Sequence, residues 1–446
     1  MAAAAAAAAD ASDAAAALAK VEPKARYAAL LNYLSRPSAL ASEGFEAKAR
    51  DDPAVLKFLR EDCRVLVIGA GGLGCELLKN LALTGFRNID VIDMDTIDVS
   101  NLNRQFLFRQ ADVGKSKAEV AAAFIRRRVP DVNITAHHGK IQDHPDEWYM
   151  KFNMVIAGLD SIDARRWINS TLVSIVDVDD EGDIQDPDTI IPLIDGGTEG
   201  FKGHCRVILP LITSCFECSL SLFPPQTVFQ ECTIVNTPRS AAHCVAYAQH
   251  MWDKESPYKT QKLDKDLPEH MEWIVATAKA HAAKFNIAEE VSLKKAKGVV
   301  GNIIPAIAST NAAVAALEVN EALKIATYMA DSMNNYLMYY AVEKLYTTVQ
   351  ELERSPDCAV CQNAFRRLDV DLAQTVASFL LLLEELPAFQ LKKPAVRVNG
   401  GATVWFPTGP LRAATEKNAN CPLSDFVKSG DTLAITDPAL KNKVLE

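Results

Sequence analysis

No apolar stretch of the sequence is long enough to cross a membrane. The nearest candidate, Val376-Ala377-Ser378-Phe379-Leu380-Leu381-Leu382-Leu383, stops at Glu384-Glu385 and reads as a buried helix. There is also no Lys/Arg cluster. The 446 residues carry 47 Lys+Arg against 57 Asp+Glu, a formal net charge of −10. That balance argues against a nucleic-acid surface and suits neutral or basic protein partners. The start lacks the basic residues and branched apolar run of a secretory signal, and the arginines of an organellar presequence. It is an alanine tract, Ala2 to Ala9, closed by Asp10 and Asp13. The expectation is a frayed tail on a cytosolic or nuclear protein. No internal repeat is visible. Hydrophobic residues at 49% and charged residues at 23% are ordinary for a globular chain, and its length calls for more than one domain.

What the sequence does have is an apolar run, Val65-Leu66-Val67-Ile68, opening into Gly69-Ala70-Gly71-Gly72-Leu73-Gly74 and then a helical pattern from Glu76 to Ala82. This strand, G-x-G-x-x-G turn and helix is the context in which a backbone approaches a phosphate closely. The helix N-terminus supplies free N–H groups and the positive dipole end. A second strand, Asn88 to Asp93, ends on an acid where a ribose-binding carboxylate belongs.

Strands at Asn133–Ala136 and Met154–Ala157 alternate with helices at Ser116–Arg128 and Ala164–Ile175, which predicts a doubly wound, mostly parallel α/β sheet. Further strands fall at Ile190–Asp195, Cys205–Leu209, Tyr336–Tyr340 and Leu345–Val349. Residues 1–52 read as an Ala-rich tail and helical segment, 53–222 as the first part of a nucleotide-binding domain, and 223–297 as an inserted, mainly helical domain. Residues 298–365 return to the first domain, and 366–446 suffice for a small α+β module.

The glycine loop with Asp93 by itself favours a nicotinamide dehydrogenase. Arg104, just beyond the second strand, and Lys117, at the start of the next helix, point elsewhere. Two cations near a phosphate loop suit a triphosphate on which charge builds during phosphoryl or adenylyl transfer. Asp160 follows Val155-Ile156-Ala157-Gly158-Leu159, at the carboxyl edge where a magnesium ligand would reach the phosphates. Each charge taken singly is as simply a solvated loop residue; their joint placement at strand ends is the signal.

Ten cysteines are present. Cys63 and Cys75 flank the first strand and read as packed residues. Cys205 lies in a strand and Cys421 in the tail. Cys215-x-x-Cys218 and Cys358-x-x-Cys361 offer four thiolates for a tetrahedral zinc, although their separation is far longer than in a compact finger and leaves ordinary buried thiols as an equal alternative. Cys232 and Cys244 remain, both in the insert, as nucleophile candidates. Cys244 follows His243, but adjacent residues of a helix point in different directions. Arg239 is near Cys232 and would favour its thiolate.

The stretch Ile92-Asp93-Met94-Asp95-Thr96-Ile97-Asp98-Val99-Ser100-Asn101-Leu102-Asn103-Arg104-Gln105-Phe106-Leu107-Phe108 resembles the signature of the activating enzymes for ubiquitin-like modifiers. The same fold serves bacterial enzymes that adenylate sulfur-carrier proteins. Leu159-Asp160-Ser161 with Ala164-Arg165-Arg166-Trp167-Ile168-Asn169, Pro192 to Gly203, and Glu231-Cys232-Thr233-Ile234 narrow the resemblance to the neddylation branch, over about Phe58 to Cys361.

The resemblance implies a Rossmann-like adenylation domain with Gly69, Gly71, Gly72 and Gly74 as the phosphate loop and Asp93 as the ribose contact. It implies that Asn101, Arg104, Gln105 and Lys117 hold the phosphates of ATP and that Asp160 holds Mg2+. Cys232 is the implied thioester nucleophile, and Cys215, Cys218, Cys358 and Cys361 the ligands of a structural Zn2+. Arg206 is the implied discriminator between modifiers, the alternative being a solvent-facing strand residue. The implied partners are a second subunit carrying an inactive adenylation unit, a neddylation-type modifier, and a conjugating enzyme docked by a ubiquitin-like fold in 366–446. A sulfur-carrier adenylyltransferase would keep the ATP site without the large insert. A nicotinamide-dependent oxidoreductase would keep only the loop and Asp93.

Overall fold

The run of apolar residues before the glycine loop is buried because it is the middle of a sheet. In the computed structural model, β1 (Arg64–Ile68) pairs in parallel with β2 (Asn88–Asp93) on one side and with β4 (Met154–Ala157) on the other. Strand β3 (Asn133–His138) extends the sheet beyond β2, and β7 (Leu193–Glu199) extends it beyond β4, again in parallel. Strands β1, β2 and β4 are buried on both faces, so they read as apolar runs without alternation. The sheet then changes sense. β8 (Lys202–Ile208), β9 (Tyr336–Tyr340) and β10 (Tyr346–Gln350) add as antiparallel strands, giving the order β10-β9-β8-β7-β4-β1-β2-β3. A hairpin turning at Gly200, φ +57°, connects β7 to β8.

The structure describes residues 27–34, 57–179, 182–222, 231–236, 238–259, 261, 263, 267–300, 307–329, 334–362, 368–386, 391, 393–399, 401, 403–407 and 410–438. The alanine tract and most of the predicted N-terminal helical segment lie outside them. Within that segment the helix Ala28–Leu34 is described, and the preceding Tyr27 is buried and donates to the Ala82 carbonyl at 3.4 Å.

Helices Gly72–Thr84, Lys117–Arg128 and Ala308–Ala326 cover one face of the sheet through Leu77, Leu81, Ala121, Ile125, Val314 and Val319. A buried leucine here is worth ~1.5–3 kcal/mol relative to exposure. The first of these helices ends at Gly85, whose φ of +112° forms a left-handed cap with its N–H on the Leu81 carbonyl. The other face is covered by the helix Ile162–Ile175 and by the C-terminal module. That module has the helix Val376–Glu385 and a three-stranded antiparallel sheet with β11 (Ala395–Val398) between β12 (Thr403–Trp405) and β13 (Leu433–Thr436). Its Val376, Phe379, Val396 and Ile435 join Ile168, Leu172 and Phe216 in one core. The predicted α+β module therefore shares a core with the sheet domain and does not separate from it.

The chain divides into two compact units, Met1–Phe223 with Ala306–Glu446, and Pro224–Pro305. The second is helical as expected, but its end is later than the predicted residue 297. The helix Leu293–Val300 belongs to it because Ala296, Val299 and Val300 pack with Cys244, Val245, Trp252, Met271 and Ile274. Strand β7 begins at Leu193 and not at Ile190, after the turn Pro187–Thr189. The sequence reading also passed over a small acidic hairpin of β5 (Asp177–Val178) and β6 (Ile184–Asp186), too short to carry a period.

Candidate functional site

Strand order reverses at β1, which has β2 on one side and β4 on the other, so the carboxyl ends of β1 and β4 open a crevice. The glycine loop lines it. Gly69, at φ +96°, donates to the Ile92 carbonyl at 2.8 Å. A Cβ there would lie 2.7 Å from the Gly158 carbonyl oxygen, and one on Gly74 would lie 1.9 Å from the Gly69 carbonyl oxygen. Backbone against backbone leaves no room for either. Gly72 faces the Asn311 amide and Gly71 only the Gln105 amide at 3.8 Å, so the loop's open side is at Gly71.

Asp93 ends β2 beside this loop. One carboxylate oxygen accepts the Ala70 N–H at 2.6 Å and the other the Asp95 N–H at 2.8 Å. Burial pushes its pKa up, against the opposing pull of those N–H groups and of Lys117. Lys117 is buried and reaches the Asp95 carboxylate at 2.8 Å; its own N–H donates to the Asp95 carbonyl at 3.1 Å. Asp95 was not singled out from the sequence, although it sits within the signature stretch.

Beyond Thr96 the chain forms a tight turn, Val99–Asn101. The Asp98 carboxylate accepts from Ser100 at 2.7 Å, and the Asn101 side-chain oxygen accepts from the Asp98 N–H at 3.1 Å. Asn101's acceptor is thus used in holding the turn. Its carbonyl takes the N–H groups of both Arg104 and Gln105, which seats those two side chains. Arg104 folds back on its own turn, donating to the Ser100 carbonyl and the Asn103 side chain at 3.1 Å each. Gln105 is 3% exposed, with its side-chain oxygen lacking a hydrogen-bond partner among the described residues. The amide nitrogen, the donating end, is the atom that lies 3.8 Å from an ideal Cβ on Gly71, as phosphate oxygens, which only accept, require.

Asp160 is exposed at the carboxyl end of β4. Arg165 braces its turn, donating to the Leu159 and Gly196 carbonyls and to the Asp195 carboxylate at 2.7 Å. Burial alone would raise the Asp195 carboxyl, but Arg165 and His204 hold it down at about 2. Asn311, between the Thr198 hydroxyl at 2.7 Å and Gly72, also backs the loop. Nothing in the sequence marked Asn311 beyond a polar residue in an apolar helix.

Arg206 is not at the surface. It is 2% exposed, with its guanidinium between the rings of Phe216 and Tyr336 at 5.2 and 5.3 Å and a hydrogen bond to Ser219 at 2.8 Å. It is not a solvent-facing strand residue, because the segment carrying Phe216 and Ser219 packs over it.

The two C-x-x-C pairs converge. Cys215 Sγ lies 3.7 Å from Cys218 Sγ and 3.5 Å from Cys358 Sγ, and Cys218 Sγ lies 3.5 Å from Cys361 Sγ; all four sulfurs fall within 4.8 Å of one another. Four sulfurs ~2.3 Å from one zinc sit ~3.8 Å apart, so the set fits a tetrahedral zinc. Backbone N–H groups of Ser355 and Val360 point at two of the sulfurs, as thiolate ligands require. The site joins the segment after β8 to the segment after β10.

In the second unit, Cys232 lies on the helix Glu231–Asn236. Cys244 is fully buried and burial raises its thiol pKa, while His243 Nδ1 accepts the Arg239 N–H at 3.1 Å. His243 Nδ1 thus caps the turn at Arg239. No helix among the described residues is long and apolar enough to cross a membrane.

Comparison with known proteins divides the chain before the C-terminal module. The ThiF family model matches residues 52–360, and the E2 binding domain model matches residues 369–445. The chain is 51% identical over 425 residues to the NEDD8-activating enzyme E1 catalytic subunit of Dictyostelium discoideum, covering 94% of this chain and 95% of that protein. It is 46% identical over 421 residues to the Drosophila melanogaster protein of that name, covering 92% of each. Identity to the Arabidopsis thaliana protein is 48% over 359 residues, covering 80% and 78%.

Proposed function

The chain belongs to the ThiF family, among the NEDD8-activating enzyme E1 catalytic subunits, and we infer from this and the crevice geometry an ATP-dependent activating enzyme for a NEDD8-type modifier. It works as the catalytic half of a heterodimer, and its C-terminal module, matched by the E2 binding domain, receives the conjugating enzyme. The observation that supports the adenylation step is that Gln105 and the stem of Arg104 lie beside Gly71 and Gly72, with the charge of Lys117 acting on Asp93, at the sheet's switch point.

In the first step the modifier's C-terminal carboxylate attacks the α-phosphorus of ATP. The bond to the β-phosphate oxygen breaks, pyrophosphate leaves with the electron pair, and an acyl-adenylate forms. The loop N–H groups and the cations Lys117 and Arg104 would offset the charge gathering on the phosphates, and Asp93 would hold the ribose. Magnesium, when bound, neutralises phosphate charge, and Asp160 is the carboxylate at the crevice edge that would hold it. In the second step the thiolate of Cys232 attacks the acyl carbon and AMP leaves, producing a thioester. The four-cysteine zinc has no open position and takes no part in either step. Arg206 would influence modifier choice from beneath Phe216 and Tyr336, a role that competition between modifiers in an Arg206→Ala enzyme tests. None of the nine described cysteines is in a disulfide, which supports a reducing compartment, cytosol or nucleus.

The test uses the heterodimer with magnesium, ATP and candidate modifiers. ATP–pyrophosphate exchange reports adenylation, and a reducible conjugate on a non-reducing gel reports the thioester. Cys232→Ala is expected to keep exchange and lose the conjugate. A conjugate on Cys232→Ala overturns the nucleophile assignment, and absence of exchange with every modifier overturns adenylation.

A further inference from the structure

The helix that carries Cys232 has six residues, well below the length at which a helix holds itself in water. The carbonyls of its last turn have no partner within it. One of them is met from elsewhere in the sequence: His281 Nε2 lies 2.7 Å from the Ile234 carbonyl oxygen, 47 residues away along the chain. A carbonyl only accepts, so Nε2 carries the hydrogen and donates.

The imidazole is held tightly. His281 belongs to the helix Pro268–Lys284 and is 6% exposed. Its ring lies flat on Tyr247, with centroids 3.6 Å apart and planes 7° from parallel, and Phe285 meets it at 4.9 Å. The Ile234 side chain is itself buried. A ring so packed has one direction in which to donate, and the Ile234 carbonyl lies along it. Every group in this arrangement belongs to the second compact unit.

We propose that His281 is a positioning residue for the thioester step, fixing the short Cys232 helix against the helix Pro268–Lys284 by donating to the Ile234 carbonyl. It acts through the backbone two residues beyond Cys232 and touches neither nucleotide nor modifier. The proposal rests on Cys232 being the nucleophile. It gives the insert a reason to bury a histidine that no motif marks. Losing the donor leaves a buried carbonyl unmet and frees the helix to shift, and a displacement of about 1 Å at a reacting group costs up to 10²-fold in rate.

The experiment compares His281→Leu, His281→Gln and His281→Asn in the full heterodimer. Glutamine places an amide donor near the Nε2 position, whereas asparagine is one carbon too short to reach it. ATP–pyrophosphate exchange is expected within about twofold of the parent enzyme in all three, because that step lies in the other unit. The single-turnover rate of thioester formation is expected to fall roughly tenfold or more in the Leu and Asn enzymes and to recover to within about threefold in the Gln enzyme. Thermal melting confirms that each variant is folded, and the Gln/Asn pair decides the matter if the Leu enzyme does not fold. Equal thioester rates in the Gln and Asn enzymes, or exchange and thioester rates falling together, overturn the proposal. Cys232→Ala, run alongside, separates the two claims. A conjugate on that variant overturns the nucleophile, whereas its loss together with unaltered His281 variants overturns only the positioning role.

Discussion

Lys117 and Asp95 form an ion pair at 2.8 Å in which the lysine side chain is 10% exposed and the carboxylate 54%. The cation is buried at the crevice and its partner is wet. Such a partner holds the ammonium in place without competing strongly for it, since an exposed carboxylate is well solvated. An arriving triphosphate can take over the charge. Asp95→Asn is expected to slow ATP–pyrophosphate exchange about tenfold through loss of aim, and Lys117→Ala roughly 10²–10³-fold through loss of the charge itself. Equal effects of the two would remove the aiming role from Asp95.

Gly74→Ala puts a methyl where the Gly69 carbonyl oxygen already lies 1.9 Å from the ideal Cβ position. The turn must open, at a cost of about 2–4 kcal/mol. Lowered thermal stability and lost ATP binding, by melting and by calorimetry, are the expected results. Gly71→Ala has a nearest neighbour at 3.8 Å and is expected to fold normally while weakening ATP binding by crowding the open side.

One zinc per chain is expected by metal analysis. The four thiols sit in the core shared with Val376 and Phe379 of the C-terminal module. Cys218→Ser or prolonged chelation should therefore lower the melting temperature and raise hydrogen exchange in residues 376–385 together with β8, by removing a tie formed only in the folded state. A metal-free protein that melts as the parent does would contradict the assignment.

Glu318 is fully buried on the helix Ala308–Ala326, its carboxyl against Gly196, where a Cβ would lie 2.4 Å from Glu318 Cδ. Neither of its oxygens has a hydrogen-bond partner among the described residues. Burial, then the charge of Asp195, pushes its pKa well above the ordinary carboxylate range. A folded pKa above the unfolded one means that folding takes up a proton, so this group's contribution falls as pH rises from the unfolded value toward the folded one. Glu318→Gln is expected to flatten that slope, stabilising the protein at pH 8 by on the order of 1–3 kcal/mol and changing it little near pH 4. Denaturant titrations at the two pH values measure it, and an equal shift at both would rule out ionisation as the cause.

Much of the site was legible because it lies in one stretch of chain. Gly69 to Gly74, Asp93, Arg104, Gln105 and Lys117 are local to strand ends, and strand-to-helix alternation alone places such ends on one side of a parallel sheet. Asp95 escaped notice because one more acid in Asp93-Met94-Asp95 has no signature of its own; only the fold shows which acid meets the lysine. Asn311 reaches the loop from a helix far along the chain, and periodicity carries no information about such a pairing. That Arg206 is covered was not legible, because the rings that flank it belong to Phe216 and to Tyr336 of β9, which arrives far along the chain.

The sequence by itself determined the nucleotide loop, the parallel half of the sheet, the family and the two nucleophile candidates, all of which rest on short-range pattern. Only the tertiary structure decided that the two distant C-x-x-C pairs meet within zinc-binding distance, that Cys244 is sealed in a core, and that Arg206 lies under two aromatic rings. It also decided that His281 meets the Ile234 carbonyl of the Cys232 helix. Each of these depends on which buried surfaces face one another across long stretches of chain, and a residue's type and spacing do not encode its packing partner.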